Sequence, residues 1–163
     1  MRTLVLIIAV TLGISAPPAG GNDAQRLAEA SRNYLKLEKI YMHWNEPWFR
    51  KGGYYRQVMY DYLVDLIGKE IHTDHTFMLV SPESIYRQEV QCQVRSGRWL
   101  HIVGKFSIAD IKKIIGDDIG LLKGWWRSRK MIAVYGKVRR FRIDETETRK
   151  EIVLYLETVH VRE

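Results

Sequence analysis

Cysteine is almost missing from this chain. Cys92 stands alone among 163 residues, so no internal disulfide can form and the fold must rest on packing and backbone hydrogen bonds. In Val90-Gln91-Cys92-Gln93-Val94 the alternation puts the thiol on the face of two valines, which predicts a buried core residue rather than a reactive one. Signatures of catalysis are missing too. There is no Gly-x-Ser-x-Gly elbow, no His-Glu-x-x-His, no Gly-rich phosphate loop before a helix and no cysteine pair for zinc. No catalytic residue and no cofactor is assigned on this basis, and binding is favoured over catalysis.

Long apolar runs are confined to the start. Arg2 precedes an apolar stretch from Leu4 to Val10 that extends to Ile14, followed by Ser15-Ala16-Pro17-Pro18-Ala19-Gly20-Gly21. That order predicts a secretory signal peptide over residues 1–21 and a periplasmic or secreted protein beginning between Ala16 and Asp23. The run is short for a bilayer span, although a retained anchor stays open as the alternative. About 140 residues then remain, enough for a core without disulfides.

Acidic residues are scarce in one half. From Arg95 to Arg142 thirteen Lys or Arg face only Asp110, Asp117 and Asp118, a local excess of ten positive charges against a formal +7 for the whole chain. A basic half on an otherwise slightly acidic protein predicts an anion-facing surface. Its densest stretch is Lys123-Gly124-Trp125-Trp126-Arg127-Ser128-Arg129-Lys130, where two aromatics lie among four cations. Such a mixture suits stacked bases, sugar rings or an acidic membrane surface. Capping of a barrel end by one or both tryptophans is the structural alternative.

Periodicity divides the rest into helices followed by strands. Residues 22–70 read as a helical N-terminal segment. A first helix spans Asn22 to Tyr41, with Leu27, Tyr34, Leu35 and Ile40 at helical spacing and Asn22 or Asp23 as N-cap. A second starts near Tyr54, its apolar stripe formed by Tyr55, Val58, Met59, Tyr62, Leu63 and Leu66, and ends at Gly68. Trp44, Trp48 and Tyr60 are left over as exposed aromatics, a candidate partner surface. Strands are predicted at Thr76 to Val80, Tyr86 to Arg95, Trp99 to Phe106, Met131 to Ile143 and Glu151 to Val161. Ser96-Gly97 makes a hairpin, and a helix from Ile108 to Ile115 carries a Ser107/Asp110 capping box and a Gly116 stop.

Three strands, a helix and a closing hairpin over residues 71–163 resemble the OB-fold, a small Greek-key barrel that binds oligonucleotides and oligosaccharides. Leu100-His101-Ile102-Val103-Gly104-Lys105-Phe106 and Ile132-Ala133-Val134-Tyr135-Gly136-Lys137-Val138 look like strands of that fold, with a glycine where each bends. The expected architecture is therefore α+β, a five-stranded OB-like antiparallel barrel with two N-terminal helices. Its ligand face, by resemblance, lies on the second and third strands and carries Gln91, Gln93, Arg95, Trp99, His101 and Lys105, extended by Trp125, Arg127 and Arg129 from the loop before the fourth. The calcium-binding Asp cluster and paired arginines of exported OB-fold nucleases have no assignable counterpart here.

Two polar clusters offer metal-ligand chemistry: His72-Thr73-Asp74-His75, with His43 as a fourth ligand if the helices fold back, and Asp117-Asp118. Neither has the spacing of a standard site, and no metal residue is assigned. The expected function is a non-enzymatic extracytoplasmic module for an anionic or glycan polymer. The alternative is an envelope structural or assembly protein that docks a protein partner through its helices and aromatic cluster. Nucleic acid is disfavoured as the natural ligand because export removes the chain from most of it.

Overall fold

The computed structural model describes residues 19–46, 53–86, 89–117, 124–146 and 148–163. The expected signal segment lies outside them except for residues 19–21, and Trp48, Asp118 and Lys123 also lie outside. The chain is α+β, and among the described residues it forms three helices and one seven-stranded mixed sheet.

Helix α1 (Ala19–Trp44) begins ahead of Asn22 and Asp23, so neither caps it. It buries Ala30, Tyr34, Leu37, Ile40 and Trp44, a stripe at three- and four-residue spacing. Trp44 is 0% exposed, which removes it from the exposed aromatics, whereas Tyr60 is indeed exposed. Helix α2 (Gly53–Leu66) buries Met59, Tyr62, Leu63 and Leu66 of its predicted stripe. Tyr62 Oη donates to the Asn33 carbonyl at 2.9 Å, tying the two helices.

The strands are β1 (Glu70–His72), β2 (Leu79–Tyr86), β3 (Glu89–Ser96), β4 (Leu100–Ser107), β5 (Trp126–Arg127), β6 (Ala133–Glu145) and β7 (Lys150–Arg162), with α3 (Ile108–Ile115) between β4 and β5. Their order across the sheet is β1-β6-β7-β4-β3-β2-β5. The α+β class is as expected; the sheet differs from a five-stranded antiparallel one in having seven strands, in being open, and in the parallel pairing of β4 with β7. The reason is topological: α3, β5 and β6 intervene between β4 and β7, so the two strands are joined by a long crossover rather than a hairpin, and the hairpin from β6 brings β7 back in the direction of β4.

Residues 70–86 reach both ends of the sheet. β1 pairs with β6, Thr73 exchanges bonds with Val134, and Thr76 bridges Ile132. At Met78 the chain switches to Ser128, and from Leu79 onward it pairs with β5 and β3.

Strand curvature is concentrated where β4 and β6 approach β7. A Cβ on Gly104 would lie 2.5 Å from Val159 Cγ2, and one on Gly136 would lie 2.5 Å from the Thr158 carbonyl oxygen. The pairing registers also shift beside these glycines. Both therefore allow backbone approaches that a side chain would prevent.

One buried cluster joins helices and sheet. Val90, Cys92 and Val94 of β3 and Leu100, Ile102 and Phe106 of β4 point into it, as their alternation predicts, together with Leu37 and Trp44 of α1 and Ile111 and Ile114 of α3. Cys92 is fully buried, and burial above all, with Glu83 adding to it, pushes its thiol up to about 12. Ser107 caps α3 by accepting from the Asp110 amide at 3.0 Å.

Candidate functional site

Because residues paired across a sheet point to the same side, the registers assemble an outer face row by row. One row runs Arg127, Leu79, Arg95, His101, Val153, Arg142 through β5, β2, β3, β4, β7 and β6. The next runs Ser81, Gln93, Val103, Tyr155, Arg140. A third pairs Gln91 with Lys105. Of the residues expected on the ligand face, Gln91, Gln93, Arg95, His101, Lys105 and Arg127 thus share one surface, and Trp125 meets His101 edge-on with ring centroids 6.2 Å apart.

Two expected members are elsewhere. Trp99 lies in the hairpin turn ahead of β4, where its ring stacks on Tyr41 at 4.5 Å and Tyr34 at 6.4 Å beneath α1. The aromatic residues of α1 compete for its apolar ring and win it from solvent. Arg129 hydrogen-bonds through its amide to the Ile114 carbonyl and lays its guanidinium against Gly116, at the end of α3.

The face is not uniformly wet. His101 and Glu151 are each 7% exposed. Glu151 takes Arg95 Nη2 at 3.0 Å, receives Arg149 on the same oxygen, and places its other oxygen 3.4 Å from His101 Nε2. Gln93 Nε2 lies 2.6 Å from His101 Nδ1. The amide donating to Nδ1 leaves the ring proton on Nε2, which lies 3.4 Å from the carboxylate and is buried without a hydrogen-bond partner. Burial holds the His101 imidazole below its ordinary value of 6.5 despite the opposing pull of Glu151. The middle of the face is thus a structural charge cluster, with Arg95 and His101 committed to protein partners.

Free polar surface lies to one side of that cluster. A groove of about 340 Å³ beside α1 holds ion-paired residues such as Arg26 and Glu70, but a larger one of about 510 Å³ opens on the sheet face itself. Gln91, Val103, Lys105, Arg139, Arg140, Tyr155 and Glu157 line it. Arg140 lies over the Tyr155 ring with its Cζ 4.0 Å from the centroid. Lys105 pairs with Glu89 at 3.3 Å, whereas Arg139 and Arg140 pair with no carboxylate among the described residues. Arg139, Arg140 and Tyr155 were absent from the expected ligand set. Their signal was present in the basic excess and in the alternation of the last two strands, but local sequence does not tell that β7 docks beside β4.

The candidate metal ligands do not converge. His72 is buried and faces Ser31 Oγ at 3.1 Å, while Asp74 and His75 are exposed and His43 pairs with Glu46. Among the described residues no three His, Cys, Asp or Glu side chains form a metal-holding group. Asp117 is exposed and pairs with Lys112. No family of known proteins matches the chain, and no curated protein or solved structure matches it.

Proposed function

We propose that this chain is a non-enzymatic binding module that holds an anionic or glycan polymer outside the cytoplasm, in the groove between Lys105 and Arg140. The observation that carries this reading is the pair of guanidiniums, Arg139 and Arg140, which form no ion pair among the described residues and sit beside a Tyr155 ring on an open strand face. Guanidinium forks bind phosphate, sulfate or carboxylate groups bidentately, and an aromatic ring under them offers a platform for a sugar. Gln91 adds donors at the groove's other wall.

The path of the chain supports an OB-type reading of the sheet. β2, β3 and β4 meander, α3 crosses, and the β6–β7 hairpin returns with β7 beside β4. Residues 70–86 contact β6 first and β3 afterwards, so one stretch of chain links the two ends of a partly open barrel. The extracytoplasmic setting rests on Arg2 and the apolar run Leu4 to Ile14. No described helix is long and apolar enough to cross a membrane.

The test is retention on immobilised dextran sulfate through a salt gradient. Wild-type protein is expected to elute progressively earlier as salt rises, and Arg139→Ala/Arg140→Ala to elute earlier still with an unchanged thermal midpoint, since both side chains are exposed. Elution of the variant together with wild type refutes the groove.

A second reading has its own support. Met42, Tyr54, Tyr60 and Val64 are exposed on the helices and Ile67 in the turn after α2, and an open cleft of about 830 Å³ runs between Tyr60 of α2 and Phe141 of β6. An envelope protein held there through apolar contact would stay bound as salt rises.

A further inference from the structure

The far end of the same sheet carries a different surface. Phe77, Leu79, Trp125, Trp126 and Met131 are all exposed, between 38% and 52%. The pairings Leu79 with Arg127 and Val80 with Trp126 bring their two segments together at the open edge of the sheet. Cations are interleaved with them. Arg127 lies 4.5 Å above the Phe77 ring, and Lys130, paired with Glu163, follows two residues beyond Ser128.

Trp126 pairs with the buried Val80 and so lies on the side of β5 opposite Arg127, whereas Trp125, just ahead of the strand, turns to His101 on the outer face. Each is nevertheless 45% exposed, so aromatic surface is open on both sides of this edge. A protein partner with a rigid surface would cover one side and leave the other ring wet, and protein interface cores are depleted of charge. A headgroup layer has neither restriction: it closes round an exposed edge, holds tryptophan at its polar boundary and takes basic side chains against anionic lipid.

We propose that the β5 edge docks on an anionic lipid surface through Trp125 and Trp126, with Arg127 and Lys130 at the phosphates. This site is distinct from the polymer groove, whose lining comes from β3, β4, β6 and β7 and includes no residue of β2 or β5.

The experiment is co-sedimentation of the full chain with vesicles of phosphatidylcholine alone or mixed with phosphatidylglycerol, some carrying a nitroxide headgroup quencher. Binding is expected to require the anionic lipid, and the nitroxide to quench a tryptophan signal that Trp125→Phe/Trp126→Phe removes. Trp125→Ala/Trp126→Ala is expected to lose anionic-vesicle binding at every salt concentration. Arg127→Gln/Lys130→Gln is expected to weaken it by about fivefold per cation removed. Comparison within the full chain cancels any contribution of residues 4–14, and Arg139→Ala/Arg140→Ala should bind vesicles as wild type does. Absence of an anionic-lipid requirement, or quenching and binding that the tryptophan variants leave unchanged, overturns the proposal.

Discussion

Glu151→Gln tests the charge cluster at the middle of the outer face. The carboxylate has a side-chain exposure of 9% and holds Arg95, whose own side chain is 20% exposed, at 3.0 Å. Removing one member of a fully buried ion pair costs about 3–5 kcal/mol. Two features lower that value here. Arg149 is 54% exposed, so its share is that of a surface pair, below about 1 kcal/mol. Glutamine also preserves the shape and one acceptor oxygen. The expected loss is therefore about 2 kcal/mol, most of it from Arg95, which also carries a buried Nε without a partner. In a chain of this size that lowers the thermal midpoint by roughly 4–8 °C. A double-mutant cycle with Arg95→Gln should return a coupling of about 1–2 kcal/mol, because the two groups are in direct contact. Calorimetry and urea melts measure both quantities. A Glu151→Gln loss below about 0.5 kcal/mol, or no coupling, would refute the reasoning and mean that the cluster is hydrated rather than structural.

Two further outcomes follow from the same geometry. Trp99→Ala should cost about 2–4 kcal/mol, since it deletes the ring stacked between Tyr41 and Tyr34, while polymer retention measured well below the melting temperature stays unchanged; an unaltered melt would return Trp99 to the surface. Stability should also fall as pH drops through about 6.5, because burial keeps His101 and His72 neutral in the folded chain while the unfolded chain protonates there and binds more protons. The decline levels off once the folded-state imidazoles protonate, and a urea midpoint that does not move between about pH 7.5 and about pH 5 contradicts it.

Much of the fold was legible in local pattern. The helix at Ile108–Ile115 has the predicted bounds, because Ser107 and Gly116 fix its ends through short-range hydrogen bonds. The alternation of Val90, Cys92 and Val94 correctly gave the inner face of β3. Other elements depended on distant partners. β2 runs on to Tyr86 although the expected strand ends at Val80; a register shift between Pro82 and Ser84 accommodates the missing amide. β1 and β5 are too short for a period to declare itself, and they exist because β6 and β2 offer unpaired edges. Trp44 was readable, since Tyr34, Leu37, Tyr41 and Trp44 have helical spacing, but Pro47 nearby drew the boundary too early. For the candidate site, period two assigned the correct side to Gln91, Gln93, Arg95, His101 and Lys105. It carried no information on Glu151, which arrives from a strand 50 residues further on and buries His101.

Glu151 also determines how the face divides electrically. Arg95 and Arg149 converge on its single charge beside a neutral imidazole, so the centre of the row keeps one net positive charge, with both guanidiniums engaged by the carboxylate. Cations free to meet solvent anions are left at the two ends: Arg139 and Arg140 near β6, and Arg127 at the β5 edge. Five strand steps of about 4.8 Å separate β5 from β6, an arc of roughly 24 Å. That is about three Debye lengths at physiological ionic strength, where screening takes effect within about 8 Å. Along that arc the two ends offer a polymer separate attachment points, and their salt dependences add only for a ligand long enough to reach both.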